Sequence, residues 1–223
     1  MTTKILASEL SPFGARLRLA CALKKLALPF EPAPGGSGSA ELKKIHPFGR
    51  IPVLLAGDAV LVESLALLEY LEDANPGTPS LRPADPVRAA RARMIALLFD
   101  HNVIKALQGV FAQLMKPQPD PAAARSALDD VTTELGKLVY FFDADGPGAV
   151  GAISIADCAM APFAFLIDAL STPFGAVSPT QRVPRFTQWW TTVARVPEVV
   201  DVTTRMHKAL VAMMAARKAQ AAA

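Results

Sequence analysis

The residues from Arg50 to Ser64 combine an extended apolar chain with polar groups at its ends. Two runs of Val and Leu flank Gly57-Asp58, which is typical of a β-hairpin. Pro52 begins the first run, where a proline is either an edge residue or a cis bend, and either form leaves the amide and carbonyl of Ile51 available. A helical pattern starts at Ser64. A free strand edge beside a helix N-terminus predicts a seat for a small anionic peptide.

A second hydroxyl stands at the start of another predicted helix. Serine is favoured at the N-cap and proline at the first helical position, so Ser11-Pro12 predicts a helix that continues past Cys21. The competing hydroxyl is Ser8, at the end of the first predicted strand, which lacks a following Pro-Phe. Cys21 lies among apolar residues at helical spacing, which favours a packed thiol over a nucleophile.

Alternating strands and helices are predicted to position these groups. In order they are a strand at 4–8, a helix from Ser11, a strand at 29–32, a short helix through Ile45, the two hairpin strands and a helix at 64–74. Four short strands with helices between them predict an α/β domain with a mixed four-stranded sheet at residues 1–75.

The remainder of the chain has helical patterns. Residues 76–85 are rich in Pro and Gly and predict a linker, and residues 86–223 predict an all-α domain built as a helical bundle. Its first helix is predicted to run from Asp85-Pro86 to Met115, and a turn is predicted at 145–148. Ser154–Asp157 resembles a capping box, with Asp in place of the usual Glu.

The composition excludes several classes of protein. A hydrophobic content of 52% with 19% charged residues supports a packed core and excludes disorder. The net charge is +3 and the basic residues are spread along the chain, which predicts no nucleic-acid partner. No uninterrupted apolar run approaches the roughly 18 residues of a membrane span, so no membrane is predicted.

The positions of the histidines and cysteines indicate whether the protein has a metal site and in which cellular compartment it occurs. His46, His101 and His207 lack the spacing of metal ligands, so no metal site is predicted. Cys21 and Cys158 both lie in apolar helical patterns, which suits the reducing cytoplasm better than a disulfide framework.

Several short motifs, weak one by one, occur in an order that resembles the cytosolic glutathione transferase family. They extend over nearly the whole chain and cross the change from α/β to all-α structure: Ser11-Pro12-Phe13-Gly14-Ala15-Arg16, Arg50–Leu54, Glu63-Ser64, Leu81–Pro86, Ser154–Asp157, and Pro184-Arg185-Phe186 with Trp189 and Pro197. The Ser-Pro-Phe form is similar to the serine-type classes, such as plant tau and many bacterial members. The resemblance implies a thioredoxin-like first domain, a helical second domain and a two-fold homodimer.

The resemblance implies that glutathione is a co-substrate whose thiolate attacks a small hydrophobic electrophile. A thiol with a pKa of about 8.5 is only a few per cent ionised at pH 7. Ser11 can donate one hydrogen bond to the thiolate at the positive end of a helix, which makes it the predicted catalytic residue. Arg16, about one turn further along, is expected to add a positive field.

The same resemblance assigns five residues to the recognition of glutathione. Ile51, before a cis Pro52, would pair its backbone with the cysteinyl segment. Ser64 would bind the γ-glutamyl carboxylate and Glu63 would hold the ammonium of the same moiety. Arg50 would face the glycyl carboxylate.

The electrophile is expected to contact Phe13 and the helical domain. The long helix near Leu97–Asn102 and Lys105 and the C-terminal helix are the expected lining. The polar residues Asp100, His101 and Asn102 of this stretch either tune substrate choice or form a solvated patch.

Two alternatives remain open from the sequence. A protein of this fold can bind or regulate without turnover, as the bacterial starvation-type regulators do, although Ser11, Glu63 and Ser64 favour an enzyme. The other alternative keeps glutathione but changes the reaction to isomerisation, ether cleavage, dehalogenation or peroxide reduction.

Overall fold

The structure is a computed structural model that describes residues 3–142 and 153–221. The chain forms two compact units. One contains the residues up to Ser80 together with the final helix, and the other extends from Leu81 to Val196. The turn predicted at 145–148 lies outside the described residues.

The compact units differ from the ranges assigned by sequence, because the final helix joins the first unit. The functional division into a glutathione-binding part at 1–75, a linker at 76–85 and an electrophile-binding part at 86–223 stays a prediction.

The first unit is built on a sheet of four strands: β1 Thr3–Leu6, β2 Phe30–Glu31, β3 Val53–Ala56 and β4 Ala59–Val62. Their order is β2-β1-β3-β4. β1 is parallel to β2, and β3 is antiparallel to both β1 and β4. The hairpin between β3 and β4 turns at Gly57, whose φ of 59° suits a residue without a side chain. The predicted α/β unit with a mixed four-stranded sheet is confirmed.

The described α-helices are, in chain order, α1 Pro12–Leu23, α2 Ala40–Ile45, α3 Ser64–Ala74, α4 Pro86–Leu98, α5 Lys105–Met115, α6 Pro121–Leu138, α7 Ile155–Ser171, α8 Pro179–Arg182, α9 Pro184–Val193 and α10 Pro197–Ala221. The first three and α10 belong to the first unit, and α4 to α9 form the second. The predicted all-helical character of the chain after the linker is confirmed for the described residues.

A serine side chain caps α1, as the sequence predicts, and another caps α2. Ser11 occupies the N-cap of α1, and the hydroxyl oxygen of Ser39 accepts from the Leu42 amide at 3.0 Å. α2 then packs Leu42 against Leu6 and Val53 in a buried apolar cluster. The cluster ties α2 to the same end of the sheet at which β1 finishes and β3 begins.

The long helix predicted from Pro86 reaches Met115, but not as an unbroken α-helix. α4 ends at Leu98, and Phe99–Ile104 forms a π-helical segment before α5. Nδ2 of Asn102 donates to the Leu98 carbonyl at 2.8 Å. A side-chain amide thus binds a backbone carbonyl where the α-helix gives way to the π-helix. π-Helical turns have no strong local signal in the sequence, which explains the difference.

α7 forms the buried centre of the second unit. The backbone amide and the hydroxyl of Ser154 donate to Oδ2 of Asp157 at 2.8 and 2.7 Å, so the predicted capping box is confirmed. Nε1 of Trp189 donates to the other oxygen of Asp157 at 2.7 Å. Near the end of α7, Asp168 accepts from Nε1 of Trp190 at 2.8 Å. Two adjacent tryptophans therefore fasten α9 to both ends of α7.

Burial and hydrogen bonding act in opposite directions on the Asp157 carboxyl. Desolvation raises the pKa of Asp157, and the bonds from Trp189 and Ser154 lower it. The carboxyl group serves folding, because its partners are a helix cap and a core indole.

Among the residues that the structure describes, two helical stretches reach the length and apolar content of a membrane span, although neither is an uninterrupted apolar run: Pro86–Met115 and Ile155–Phe174. In the second, 78% of the relevant window is buried inside the protein, and the core helix of a soluble protein passes the same test.

Replacing Asp157 with Ala is expected to lower the free energy of unfolding by about 3 kcal/mol or more, because three buried donors lose their acceptor. Urea unfolding followed by circular dichroism measures the change. The matched control is Asp129→Ala, which removes an exposed ion pair with Arg182 and should cost less than about 1 kcal/mol. Equal losses in the two variants would contradict the role given to Asp157.

Candidate functional site

Three chain segments that carry predicted site residues end at the same edge of the sheet. Leu6 pairs with Val53, and Val53 pairs with Val62, so these residues form one row across β1, β3 and β4. Just beyond this row the chain carries Ser11, Ile51-Pro52 and Glu63-Ser64. Residues that are far apart in sequence are therefore gathered at one edge by backbone pairing.

The Ser11 side chain lies at the N-terminus of α1 and is partly buried. Its hydroxyl oxygen accepts from the Gly14 amide at 3.1 Å, and its backbone amide donates to the Ser8 hydroxyl oxygen at 3.2 Å. A serine hydroxyl that accepts in this way keeps its own hydrogen as a donor. Ser8, the competing candidate for the thiolate donor, is exposed, and its hydroxyl oxygen accepts from the backbone amide of Ser11.

Gly14 allows the first turn of α1 to approach the end of β1. A Cβ atom at this position would lie 2.9 Å from Cβ of Ala7 and 3.5 Å from the Ser8 carbonyl oxygen. The first of these distances is shorter than real side-chain contacts, so the close approach requires glycine. Gly14 thus holds the helix start, and Ser11 with it, against the strand.

The Ile51-Pro52 peptide bond is cis, as the resemblance implies. Pro52 is buried and Ile51 is half-buried. The ladder of β3 begins at Val53, so the peptide groups of Ile51 lie outside it. Arg50, immediately before them, is exposed to solvent.

Glu63 has an uncommon backbone conformation, with φ 69° and ψ 107°. A non-glycine residue in such a region costs about 1–3 kcal/mol and persists where the surroundings impose it. Glu63 occupies the N-cap of α3, is exposed, and makes no side-chain capping bond. Ser64 is therefore the first helical residue, and the amide groups of this first turn have no partner within the helix.

A fully buried arginine joins the starts of the two helices. Nη1 of Arg16 donates to the hydroxyl oxygen of Ser64 at 3.0 Å. The Arg16 guanidinium also lies 5.0 Å from the ring centre of Phe13, a cation–π distance. The positive field expected from Arg16 at the thiolate stays a prediction, and the structure adds a direct contact with Ser64. The only sequence signal for this contact is that Arg16 lies between the apolar residues Ala15 and Leu17.

Cys21 is unsuited to act as a nucleophile. The side chain is buried in α1, and burial raises the pKa of its thiol to about 12, against smaller opposing effects of Arg18 and Lys24. The neutral thiol at pH 7 is a poor nucleophile. This supports the sequence-based view of Cys21 as a packing residue.

No group of three or more His, Cys, Asp or Glu side chains that could hold a metal ion occurs in the part of the chain that the structure describes. His46 is buried, and its carbonyl accepts from the Gly49 amide at 2.7 Å. His46 therefore shapes the turn that leads to Arg50.

A family model described as the N-terminal domain of glutathione S-transferase matches residues 6–79. Over 199 residues the chain is 34% identical to a probable glutathione S-transferase, GSTU1, of Oryza sativa subsp. japonica, covering 85% of this chain and 84% of that protein. It is 30% identical over 154 residues to a probable maleylacetoacetate isomerase of Caenorhabditis elegans, covering 67% and 72%. The crystal structure of rice GST1 in complex with glutathione superposes with a TM-score of 0.70 at 30% identity, covering 90% of this chain and 89% of that one.

Substituting Gly14 with Ala should lower the free energy of unfolding by about 1–3 kcal/mol, because the new methyl group overlaps Ala7. The control is Gly136→Ala in α6, where a Cβ atom meets nothing within 4 Å. There we expect a gain of about 0.5–1 kcal/mol from the better helix propensity of alanine. Both changes are read by urea unfolding. A stabilising Gly14→Ala substitution would show that the approach of α1 to β1 is not tight.

Proposed function

The chain belongs to the glutathione S-transferase family and functions as a glutathione transferase, and we propose that it joins the sulfur of glutathione to small hydrophobic electrophiles. The observation that carries this proposal is the row formed by Leu6, Val53 and Val62, which brings three segments to one edge of the sheet. Those segments hold a hydroxyl at one helix N-terminus, a free backbone segment and a second helix N-terminus.

Ser11 is the proposed catalytic residue. Lowering the pKa of a thiol by about two units requires roughly 2.7 kcal/mol of preferential stabilisation of the thiolate. One hydrogen bond from the Ser11 hydroxyl and the positive end of α1 together supply stabilisation of this size. The thiolate sulfur then forms a bond to an electrophilic carbon of the substrate. Either a leaving group departs with the bonding electron pair, or a proton adds to the neighbouring carbon.

Ser64 and Glu63 are proposed to bind the γ-glutamyl end of glutathione. The Ser64 oxygen accepts from Arg16 and so keeps its hydroxyl hydrogen as a donor, and its backbone amide lies in the first turn of α3, where it has no partner within the helix. Both donors suit a carboxylate. The exposed Glu63 side chain is suited to the ammonium group of the same moiety.

The remaining recognition residues are proposed to bind the cysteinyl and glycyl parts of glutathione. The peptide groups of Ile51, just before Pro52 and outside the ladder of β3, pair with the cysteinyl segment as a short antiparallel strand. Exposed Arg50 interacts with the glycyl carboxylate. Half-buried Phe13, held at its ring face by Arg16, offers an apolar surface to the electrophile.

The serine-type assignment follows from Ser11-Pro12-Phe13. A serine hydroxyl stabilises a thiolate but cannot form a mixed disulfide, so conjugation is favoured over thiol-disulfide exchange. Cytoplasmic localisation is proposed because Cys21 and Cys158 are buried and not disulfide-bonded, which suits a reducing compartment. A detoxifying role is proposed because conjugation removes reactive electrophiles.

A glutathione-dependent isomerase is the second candidate function. The similarity to a relative named as a probable maleylacetoacetate isomerase favours it. Reversible addition of the same thiolate to a conjugated double bond, rotation and elimination would leave glutathione unchanged. Consumption of glutathione during turnover therefore separates conjugation from isomerisation.

Replacing Ser11 with Ala should raise the pKa of the bound glutathione thiol by about 1–2 units and lower the conjugation rate near neutral pH by about 10- to 100-fold. Ultraviolet absorbance of the bound thiolate, titrated with pH, measures the shift. The glutathione Kd should change little, because recognition is assigned to other residues.

The matched control for this experiment is Ser8→Ala, since Ser8 is the neighbouring hydroxyl. A pKa shift in Ser8→Ala with none in Ser11→Ala would transfer the catalytic role to Ser8. A wild-type protein that fails to bind glutathione in a calorimetric titration would favour a non-catalytic regulator of the same fold.

The protein is also proposed to form a homodimer. Phe48, between α2 and β3, is 74% exposed, and aromatic residues are enriched at contacts between subunits, which makes it a candidate interface residue. Sedimentation equilibrium should give about twice the chain mass of 23.6 kDa. Phe48→Ser should lower the mass towards that of the monomer. Tyr140→Ser, at an exposed ring whose hydroxyl tolerates water, should not. A monomeric wild type would contradict the proposal.

A further inference from the structure

Two buried polar contacts join α1 to α3 within the first unit. At one, Arg16 donates to the Ser64 hydroxyl oxygen at 3.0 Å. At the other, Nζ of Lys24, which caps the C-terminus of α1, lies 2.6 Å from Oε1 of Glu72. In each contact the second residue follows the first by 48 positions. The equal offset means that α1 and α3 run in the same direction with matched registers.

The two contacts are well separated along the helices. From Arg16 to Lys24, and from Ser64 to Glu72, the chain advances by the same number of residues, which corresponds to about 12 Å of helical rise. One contact alone would let the helices pivot about it. Two contacts at this separation restrict both sliding and tilting.

The Lys24–Glu72 ion pair is an unusual way to pack two helices. The side chains are only 1% and 5% exposed. Removing both charges from water costs about as much as their attraction returns, and apolar residues would pack the same space at no loss of stability. An ion pair differs from an apolar contact in fixing which residues meet. Its direct effect is therefore on the register of the helices.

Further hydrogen bonds extend this ion pair to the end of the unit. Nζ of Lys24 donates to the Pro79 carbonyl at 3.1 Å, and the Ser80 hydroxyl donates to Oε2 of Glu72 at 2.8 Å. Ser80 is the last residue of this part of the first unit. Both charged groups are thus held by the segment that follows α3 as well as by each other.

We propose that Lys24 and Glu72 are positioning residues for glutathione binding, which hold α1 and α3 in the register that lets Ser11 and Ser64 meet one ligand. This inference rests on the proposed function, because that function assigns Ser11 to the thiolate and Ser64 to the γ-glutamyl carboxylate. The two groups belong to one small molecule. A slip of one residue between the helices moves one hydroxyl by about 1.5 Å, which exceeds the tolerance of a hydrogen bond.

The first test measures glutathione affinity by calorimetry in Lys24→Met and Glu72→Gln, at a temperature where each variant is fully folded. We expect the Kd to rise by about fivefold or more in both, because a displaced α3 carries Ser64 out of line with the peptide groups of Ile51, while Ser11 itself contributes little to affinity. The control is Val199→Ala, which removes buried apolar volume from α10 in the same unit and leaves the ion pair intact. Its Kd should stay within about twofold of the wild type even though the protein is less stable.

The double variant Lys24→Met with Glu72→Met separates register from the effect of an unpaired buried charge. No charge is left behind in this variant, so a Kd that remains raised shows that the ion pair sets the register. A Kd restored to the wild-type value shows that packing alone suffices, and it overturns the proposal.

A double-mutant cycle then tests the link to Ser11. In the wild-type background, Ser11→Ala raises the pKa of the bound thiol. In the Lys24→Met background the same substitution should raise it less, because the hydroxyl is already displaced. Equal pKa shifts in the two backgrounds, or a Kd unchanged in both single variants, contradict the positioning role. Absence of glutathione binding by the wild type would instead refute the proposed function, and the inference with it.

Discussion

Backbone pairing at a single row of the sheet determines where the candidate site forms. Leu6, Val53 and Val62 come from three strands, and each is followed or preceded within a few residues by a group that could contact a ligand. A slip of one residue would turn Leu6 and Val53, both buried, towards the opposite face of the sheet. Burial of the apolar side chains therefore fixes the register of the strands, and this register places the polar groups at one edge of the sheet.

The chemistry depends on helix starts that this row positions. α1 begins at Ser11 because serine caps it, proline follows it and Gly14 lets the first turn lie against β1. α3 begins after Glu63, whose strained backbone turns the chain from β4 into the helix. Arg16 connects the two starts through Ser64. Two positive helix ends are thereby held near one another without a metal ligand set in the described residues.

Local rules were sufficient to predict the strands, the hairpin and the caps of α1 and α7, because each depends on a few adjacent residues. Contacts between residues that are far apart in sequence could not be predicted. Arg16 lies in α1 and Lys24 at its end, where basic side chains normally face water. The apolar neighbours of Arg16 indicate burial, but nothing in the sequence identifies the partner of either residue on α3. The π-helical turn at Phe99–Ile104 also lacks a local signal. The roles of Ile51 and Arg50 were assigned from the family resemblance, because each role is a contact with a ligand that the residues themselves do not identify.

The membership of α10 in the first unit has a consequence for biosynthesis. The first unit is discontinuous in sequence, and its helix α10 is synthesised only after the whole of the second unit. The continuous second unit can fold while α10 is still being made, because domains fold as units when their sequence is complete. The first unit cannot complete its core until α10 has been synthesised. During that interval the apolar surface that α10 covers remains accessible to chaperones, although the strands of this unit were synthesised before the second unit.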